Sequence, residues 1–483
     1  MKKPIQFLLG VIVVLLIVVA IKTMIFTSLQ VKTEPAVFPV FGNESAANLS
    51  KAITFPTISF ADNSPIDTTA FLGFHKFLSE AYPLINSKLE KELISGFSLL
   101  YTWKGKNPAL KPVILMAHMD VVPVEAESSW KRNPFSGDND GTYIWGRGTL
   151  DDKSSMISIL EAVEKLISED YQPERTIYLA FGHDEEVGGL KGAQVIASKL
   201  KERGVTAEFV LDEGMAITLG MVPMISKPVA LIGTSEKGYL SVKLTVEMEG
   251  GHSSTPEKES TITVLNKSLY HLHKKELNAR ISVPVEDFIR YIGPEIPLYA
   301  KAIFANSWLF KDLILKIYMG SSSGNALVRT TTAPTIINAG IKDNVIPTKA
   351  EAVVNFRILP GETSADVLQH VSNVISDQRV KITAIEGFNE PSPTSPVNVP
   401  GFKIISASIR QVFPEVIVSP TLMLASSDSR KFSDISRNIF KFAPIVVTSE
   451  DMARIHGLNE RVKISDFMRS IGFYYQLIRN LEK

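Results

Sequence analysis

The sequence predicts an α/β fold with a mainly parallel sheet, an inserted α+β domain, and one apolar helix ahead of both. Short apolar runs alternate with helix-like segments from about residue 56 to residue 237, which is the pattern of βαβ units. From residue 238 apolar and polar residues alternate strictly, as is typical of strands with one solvated face. The first thirty residues are far more apolar than the rest of the chain.

The N-terminal segment predicts a membrane anchor. Ile5 to Ile21 is a 17-residue run broken by one polar residue, and Lys2 and Lys3 precede it. At about 1.5 Å per residue the run spans roughly 25 Å, which exceeds the apolar core of a signal peptide. We therefore expect residues 1–27 to form an uncleaved transmembrane helix. Basic residues favour a cytoplasmic N-terminus, which puts the catalytic domain on the periplasmic or extracytoplasmic side. Secretion after signal cleavage is the alternative.

The first part of the α/β domain is expected at residues 56–237, after a tether at residues 28–55. Apolar runs at 111–117, 176–182 and 207–211 predict buried strands, and acidic or histidine residues follow each run directly. Ligands of open α/β sheets bind beyond the carboxyl ends of the strands. This edge is therefore the expected functional site.

An inserted α+β domain is expected at residues 238–385. Period-two alternation predicts strands at 239–249 and 350–358, and the segment between them, about 257–325, has helical character and several aromatic residues. The α/β pattern returns at residues 386–483.

Helices are expected at 153–168, 402–412 and 465–481, the first of them from its 3.6-residue apolar period. The last two belong to the second part of the catalytic domain, which also contains His456. The insertion explains why His456 is so distant in sequence from the other polar motifs.

Composition limits both the partners and the cofactors. Lys plus Arg equals Asp plus Glu at 51 each, and no basic run follows the first residues, so nothing indicates nucleic-acid binding. The chain has no cysteine and eight histidines. A transition-metal site must therefore be built from His, Asp and Glu, which suits zinc or a similar divalent ion.

The strand ends provide paired polar residues. His118 and Asp120 are two residues apart at a strand end and point to the same side, as a metal-bound imidazole and its supporting carboxylate would. The adjacent acids Glu185 and Glu186 can act as a general base and a metal ligand. The alternatives are a histidine satisfied within a loop and a solvated acidic turn.

Three further motifs are ambiguous when taken alone. Asp151-Asp152 precedes a helix that Asp caps well, and Asp212-Glu213 does not reveal which acid binds a metal. His252 lies between glycines and serines in the inserted domain, where a surface histidine is the common outcome.

Together these motifs resemble the dizinc metallopeptidases that include aminoacylase, carboxypeptidase S, bacterial dipeptidases and succinyl-diaminopimelate desuccinylase. The resemblance covers roughly residues 56–480 and is nearest to the carboxypeptidase S and N-fatty-acyl-amino-acid synthase/hydrolase branch. The motifs that carry it, in chain order, are Ala-His-Met-Asp-Val-Val-Pro (117–123), Gly-Arg-Gly-Thr-Leu-Asp-Asp-Lys (146–153), Gly-His-Asp-Glu-Glu (182–186), Asp-Glu-Gly (212–214), Gly-Gly-His-Ser (250–253), Val-Arg-Thr-Thr-Thr (328–332), Asn-Val-Ile-Pro (344–347) and Asn-Phe-Arg-Ile-Leu-Pro-Gly (355–361).

The resemblance implies two Zn²⁺ ions per chain, for which Co²⁺ or Mn²⁺ can substitute. Asp151 is expected to bridge the two ions. His118 and Asp212 are expected to complete one coordination sphere, and Glu186 and His456 the other.

The same resemblance implies the remaining catalytic roles. Asp120 orients the first histidine ligand, Glu185 is the general acid/base, and His252 stabilises the oxyanion, in some members from the opposite subunit. Asn344 and Arg357 hold the substrate, with Arg357 suited to a bidentate carboxylate contact.

The resemblance leads to two structural expectations and shows one departure from the family. The catalytic domain should have the zinc-exopeptidase fold, with the insertion acting as a lid and dimerisation domain in a possible homodimer. The Asp151–Asp152 peptide bond should be cis. The loop Ser426-Ser427-Asp428-Ser429-Arg430 departs from the family's usual sequence near the substrate carboxylate.

The expected function is hydrolysis, or reversible formation, of the amide bond of N-acyl amino acids. A carboxypeptidase or dipeptidase acting on small peptides is the alternative with the same chemistry. A catalytically dead, membrane-tethered binding protein is the alternative of another class, but it should have lost a ligand or Glu185, and none is missing.

The segment 291–315 is rich in aromatic and aliphatic residues, and two roles for them are open. They are expected either to line an acyl pocket or to form the core of the insertion or a dimer contact.

Overall fold

The computed structural model describes residues 2–60 and 64–482. Its helices are α1 (Lys2–Ile25), α2 (Asn43–Ile53), α3 (Thr68–Ala81), α4 (Pro83–Lys88), α5 (Lys153–Ser168), α6 (Ala193–Glu202), α7 (Thr261–Lys274), α8 (Val283–Ile292), α9 (Leu298–Ala305), α10 (Ser307–Tyr318), α11 (Ser322–Val328), α12 (Ser364–Ile375), α13 (Pro400–Val412), α14 (Ser449–Met452) and α15 (Ile464–Asn480).

The strands are β1 (Glu90–Ile94), β2 (Ser98–Trp103), β3 (Val113–His118), β4 (Tyr143–Trp145), β5 (Ile177–Gly182), β6 (Phe209–Asp212), β7 (Ile217–Thr218), β8 (Val229–Glu236), β9 (Gly238–Glu247), β10 (Gly251–His252), β11 (Thr331–Ala339), β12 (Val345–Ile346), β13 (Lys349–Ile358), β14 (Val380–Ala384), β15 (Ile417–Met423), β16 (Ile439–Lys441), β17 (Val446–Val447) and β18 (Arg461–Lys463).

The main sheet has ten strands in the order β1-β2-β5-β3-β6-β16-β8-β7-β17, with β15 paired to β8. Its centre, β5-β3-β6-β16, is parallel. The expected α/β class is confirmed, but the sheet is mixed. The three residues between β1 and β2 allow only a hairpin, and β8 runs antiparallel to both β16 and β7.

Helices cover both faces of this sheet, as buried parallel strands require. Helices α5 and α15 pack together and share one large apolar core with the sheet, while α6 belongs to a smaller core that includes Ile114 and Val210. The three predicted strands correspond to β3, β5 and β6, and the predicted helix at 153–168 is α5.

A second, four-stranded antiparallel sheet has the order β11-β13-β9-β14. Alternate residues of β9, such as Leu240 and Val242, are buried in a separate core with α7 and α12. Strand β11 is the edge of this sheet, and most of its residues are exposed, including Ile336 and Ile337.

Helices α8 to α11 lie between the strands of the second sheet in sequence, but α8 packs on β15 of the main sheet. Ala300 on α9 shares a core with Val229 and Leu231 of β8. The part of the insertion that is richest in aromatic residues therefore lies against the catalytic sheet.

Helix α1 is long and apolar enough to cross a membrane. Its stretch Pro4–Ile25 has a mean hydropathy of 3.0, and a signal sequence would meet the same criterion. The tether expected at residues 28–55 includes helix α2, which packs on the catalytic domain. Ser45 and Asn48 on α2 both donate hydrogen bonds to Glu161 on α5, at 2.6 and 2.7 Å.

Candidate metal centre and active site

The carboxyl ends of β3, β5 and β6 meet at one edge of the main sheet. His118 is the last residue of β3 and is in register with Gly182, the last residue of β5, while Asp212 ends β6. The turn that carries Glu185 and Glu186 follows β5 directly. These polar residues therefore lie together at one edge of the sheet.

Four side chains converge at this edge with metal-ligand atoms facing one another. His118 Nε2 lies 2.9 Å from Asp151 Oδ1, and His456 Nε2 lies 3.1 Å from Asp151 Oδ2. Glu186 Oε2 lies 3.2 Å from His456 Nε2. One ligand atom from each of His118, Asp151 and Glu186 falls within 4.8 Å of the others. Asp151 thus presents one oxygen to each histidine.

Asp120 connects two of these segments. The Nδ1 atom of His118 lies 3.0 Å from the Asp120 carbonyl oxygen and 3.4 Å from its carboxylate. The same carboxylate accepts the backbone N–H groups of Glu185 and Glu186, at 3.1 and 3.2 Å. Asp120 therefore fixes the imidazole and the acidic turn together.

The peptide bond between Asp151 and Asp152 is cis, as expected. Asp152 occupies the N-cap position of α5 without making a capping side-chain hydrogen bond. Instead its Oδ2 accepts the His118 N–H at 3.3 Å. The capping alternative therefore does not describe this side chain.

The carboxylates of the site are buried or half-buried, and they repel one another. Burial raises the pKa of Glu185 well above its usual range, and neighbouring carboxylates raise it further. Burial likewise raises the pKa of Asp212. At Asp151 burial is outweighed by the hydrogen bonds of His118 and His456, which lower its pKa. A general acid/base benefits from a raised pKa, so Glu185 has the environment that proton transfer requires.

The residues present fit divalent metal ions. Glu186 Oε1, Asp152 Oδ1 and Asp428 Oδ2 are buried oxygens without a hydrogen-bond donor. Buried carboxylates are stable only when they are neutralised, hydrogen-bonded or bound to a cation. Imidazole and carboxylate donors at this spacing suit zinc and similar ions.

A buried ion pair supports two of the converging segments. Arg147 Nη1 lies 2.6 Å from Glu460 Oε2, and both side chains are almost completely buried. Arg147 Nη2 donates to the His456 carbonyl at 3.1 Å. Glu460 Oε1 accepts the N–H groups of Leu150 and Asp151, at 2.7 and 3.3 Å. Sequence reasoning missed Glu460, because a single acid four residues after a histidine has no distinguishing pattern.

The loop at 426–430 lies beside Asp212. The Ser429 N–H donates to Asp212 Oδ2 at 2.9 Å, and the hydroxyls of Ser427 and Ser429 are 2.7 Å apart. Ser427 also donates to Glu236, which forms a buried ion pair with Lys441 at 3.1 Å. This loop therefore orients a predicted metal ligand.

Three predicted residues lie on other elements of the fold. His252 is exposed on β10, and Asn344 is exposed just before β12, the strand that pairs with β10. The Ser253 N–H donates to the Asn344 carbonyl at 3.2 Å. The Arg357 guanidinium, on β13, lies 4.9 Å from the ring centroid of Tyr239. His252 and Asn344 therefore belong to the small β10–β12 pair, and Arg357 belongs to the second sheet.

Comparison with known proteins agrees with the fold. The model of Peptidase family M20/M25/M40 matches residues 114–480. The probable carboxypeptidase S-like 2 of Dictyostelium discoideum is 42% identical over 480 residues, covering 97% of this chain and 92% of the relative. The N-fatty-acyl-amino acid synthase/hydrolase PM20D1 of Xenopus tropicalis is 41% identical over 436 residues, covering 89% and 85%.

Solved structures show the same fold at low identity. An M20 family metallo-carboxypeptidase from Sulfolobus solfataricus superposes with a TM-score of 0.66 at 20% identity, covering 91% of this chain and all of that one. Human carnosine dipeptidase 1 gives 0.60 at 14% identity, with coverages of 91% and 96%.

The fold and the site define a metallohydrolase that acts on amide or peptide bonds. The chain belongs to the Peptidase M20/M25/M40 family.

Proposed function

We propose that this protein is a membrane-anchored, dizinc amidohydrolase that cleaves, or reversibly forms, the amide bond of N-acyl amino acids. The observation that carries the substrate class is the 41% identity with an N-fatty-acyl-amino acid synthase/hydrolase over nearly the whole catalytic region. The converging His, Asp and Glu donors support the metal dependence. We propose Zn²⁺ as the native ion, with Co²⁺ or Mn²⁺ able to replace it.

Contacts between the side chains support most of the proposed coordination. Asp151 would be shared by the two ions, because its two oxygens are directed at different histidines. His118 would hold one ion, and Asp212 is assigned to the same ion from the family resemblance. Glu186 and His456, whose Oε2 and Nε2 atoms lie 3.2 Å apart, would hold the other.

In the proposed reaction, the protein orients the substrate and moves a proton. Bound divalent ions lower the pKa of water and polarise the amide carbonyl. Glu185 takes a proton from the attacking water and passes it to the leaving amine, a role supported by its raised pKa. Asp120 is a positioning residue for His118 and for the Glu185 turn.

The second sheet is proposed to supply the substrate contacts. His252 would stabilise negative charge on the carbonyl oxygen, Asn344 would bind the substrate, and the Arg357 guanidinium would bind the carboxylate of the amino acid. The exposure of His252 and of the β11 edge supports a lid and dimer interface, in which a second copy of the chain completes the site. Residues 238–385 are the proposed lid and dimerisation domain.

We propose that α1 remains uncleaved and spans the membrane, with the catalytic domain on the extracytoplasmic side. The length and hydropathy of α1 support a membrane span, and Lys2 and Lys3, which stand before its apolar run, support this orientation.

The test is a chain-length series of N-acyl derivatives of one amino acid, assayed beside dipeptides with the same C-terminal residue. If apolar surface lines the acyl pocket, each buried methylene adds about 0.8 kcal/mol, or roughly fourfold in affinity. Catalytic efficiency should therefore rise steeply from the N-acetyl to the long-chain compounds. A Glu185→Ala preparation gives the background from contaminating hydrolases.

The 42% identity with a probable carboxypeptidase favours one alternative, a carboxypeptidase or dipeptidase acting on small peptides. A flat chain-length profile together with a preference for the dipeptides would support that alternative and contradict ours.

A further inference from the structure

Helix α1 does not leave the catalytic body through a free linker. The buried Asn306 amide, between α9 and α10, donates to the Val19 carbonyl at 3.2 Å and to Thr23 Oγ1 at 3.3 Å. Farther along, the Gln30 side chain donates to the Val418 carbonyl at 2.9 Å and accepts the Val418 N–H at 2.8 Å. The segment that joins α1 to the catalytic domain is therefore held by hydrogen bonds at both of its ends, near residue 23 and at residue 30.

These contacts set the level of the body relative to the apolar run of α1. Val19 lies within that run, and Lys22, about one helical turn later, is where charge first returns. The ammonium of Lys22 is 5.1 Å from the ring centroid of Trp308, the second residue of α10. If Lys22 lies at the level of the lipid headgroups, Asn306 lies within about one helical turn of that level, because it bonds to α1 on both sides of Lys22.

Helices α9 and α10, which flank Asn306 in the chain, carry exposed apolar side chains. Leu313 and Ile317, one turn apart on α10, are 42% and 52% exposed, and Trp308 is 53% exposed. Tyr299 at the start of α9 is 69% exposed, and its hydroxyl contacts Met224 Sδ at 3.8 Å. Tyr and Trp side chains beside exposed aliphatic residues are typical of membrane interfaces.

We infer that this surface is a membrane platform that inserts shallowly into the leaflet on the catalytic side. The platform is defined as Leu298, Tyr299, Trp308, Leu309, Leu313 and Ile317. The occupant is the headgroup and upper acyl region of the lipid, because α9 packs on α1 and Trp308 of the platform contacts Lys22 at the end of the apolar run of α1. The inference rests on the proposed anchoring by α1.

The platform also fixes the active site relative to the lipid. Its helix α9 contributes Ala300 to the apolar cluster that contains Leu231 of β8, and Met215 packs against the same cluster. Met215 is three residues after Asp212. A continuous set of packed residues thus joins the platform to the strand end that bears a proposed metal ligand. The active site is therefore held at a fixed distance from the bilayer, into which long-chain substrates partition.

The test uses the absence of cysteine in the full-length chain. Single variants Leu313→Cys and Ile317→Cys are labelled with an environment-sensitive fluorophore and reconstituted into phosphatidylcholine vesicles, with or without nitroxide-labelled phosphatidylcholine. Leu93→Cys is the matched control, because Leu93 is 54% exposed on β1, at the opposite edge of the main sheet from β8. Ile12→Cys reports on α1 itself. Retained amidohydrolase activity verifies that each variant is folded.

Platform labels should be quenched about twofold or more by the nitroxide lipid, as expected for groups about 5–10 Å below the headgroup boundary, and the Leu93 label should not. If the Ile12 label is quenched while the Ile317 label behaves like that at Leu93, the platform is overturned and the anchor stands. If the Ile12 label is not quenched, the transmembrane anchor is overturned, and the Ile317 label then decides the platform alone. Crosslinking of two copies through Ile317→Cys without lipid quenching would assign the surface to a protein contact and overturn the inference.

Discussion

Glu460→Gln tests whether the buried Arg147–Glu460 pair positions the metal ligands. The substitution keeps the side-chain shape but removes the charge that faces Arg147 Nη1 at 2.6 Å. Breaking a buried ion pair by neutralising one partner costs about 3–5 kcal/mol, because the other charge remains buried. The amide NH₂ can also face the guanidinium, so that two donors oppose each other.

The expected loss is a large part of the about 5–15 kcal/mol by which folded proteins are stable. It should be measured by denaturant unfolding of metal-free protein, so that metal release does not contribute. Metal affinity should then be measured on the folded protein by competition with a chelating dye. The His456 carbonyl and the Asp151 N–H both bond to this pair, so affinity should fall about 10- to 100-fold, the usual effect of groups that orient ligands.

Two variants separate the possible explanations. Glu450→Gln removes the same charge from an exposed pair with Arg454 in the segment that carries His456, and should change stability by less than about 1 kcal/mol without affecting metal binding. The double variant Arg147→Met/Glu460→Met removes the unpaired buried charge, so it should recover part of the stability but not the metal affinity. Wild-type metal affinity in both Glu460→Gln and the double variant would refute the positioning role.

The remaining predictions concern the metals, the base, the dimer and a buried lysine. Chelation should abolish activity, and Zn²⁺, Co²⁺ or Mn²⁺ should restore it, with metal analysis approaching two ions per chain; full activity without metal would contradict the site. Glu185→Ala should lower turnover by about 10²-fold or more with metals retained, whereas Glu186→Ala should also lose metal. Mixing inactive Glu185→Ala and His252→Ala proteins should restore activity if His252 acts across a dimer, and no rescue by a verified mixed dimer would exclude that. Burial lowers the pKa of Lys237 from 10.5 to about 7. Between those values the unfolded chain holds a proton that the folded chain lacks, so unfolding free energy should rise with pH by at most about 1.4 kcal/mol per unit, and Lys237→Met should remove that component.

Local patterns in the sequence determined the strand-end site. Buried strands are short apolar runs, and the polar residues that end them lie at one sheet edge whenever the strands are parallel. The placement of His118, Glu185 and Asp212 therefore followed from β3, β5 and β6 alone. Helix α5 followed from its 3.6-residue period for the same reason.

Other features depended on contacts between distant segments, which a local pattern cannot specify. The direction of the antiparallel strands in the mixed sheet depends on the length of the connection between paired strands, as in β1–β2 and β7–β8. Glu460 acquires its role only because the chain returns beside Leu150 after an insertion. From its composition the aromatic segment at 291–315 could form either a core or a surface. In the structure Ile314 and Leu315 are buried, whereas Leu313 is exposed.

The sequence by itself thus determined the chemistry, since residue type and strand position decide which donors are available at the edge. The tertiary structure alone decided how those donors are held and which apolar surfaces remain uncovered. Burial and ion pairing are properties of packed neighbours, and in this chain such neighbours can be hundreds of residues apart in sequence, as Arg147 and Glu460 are at a separation of 313.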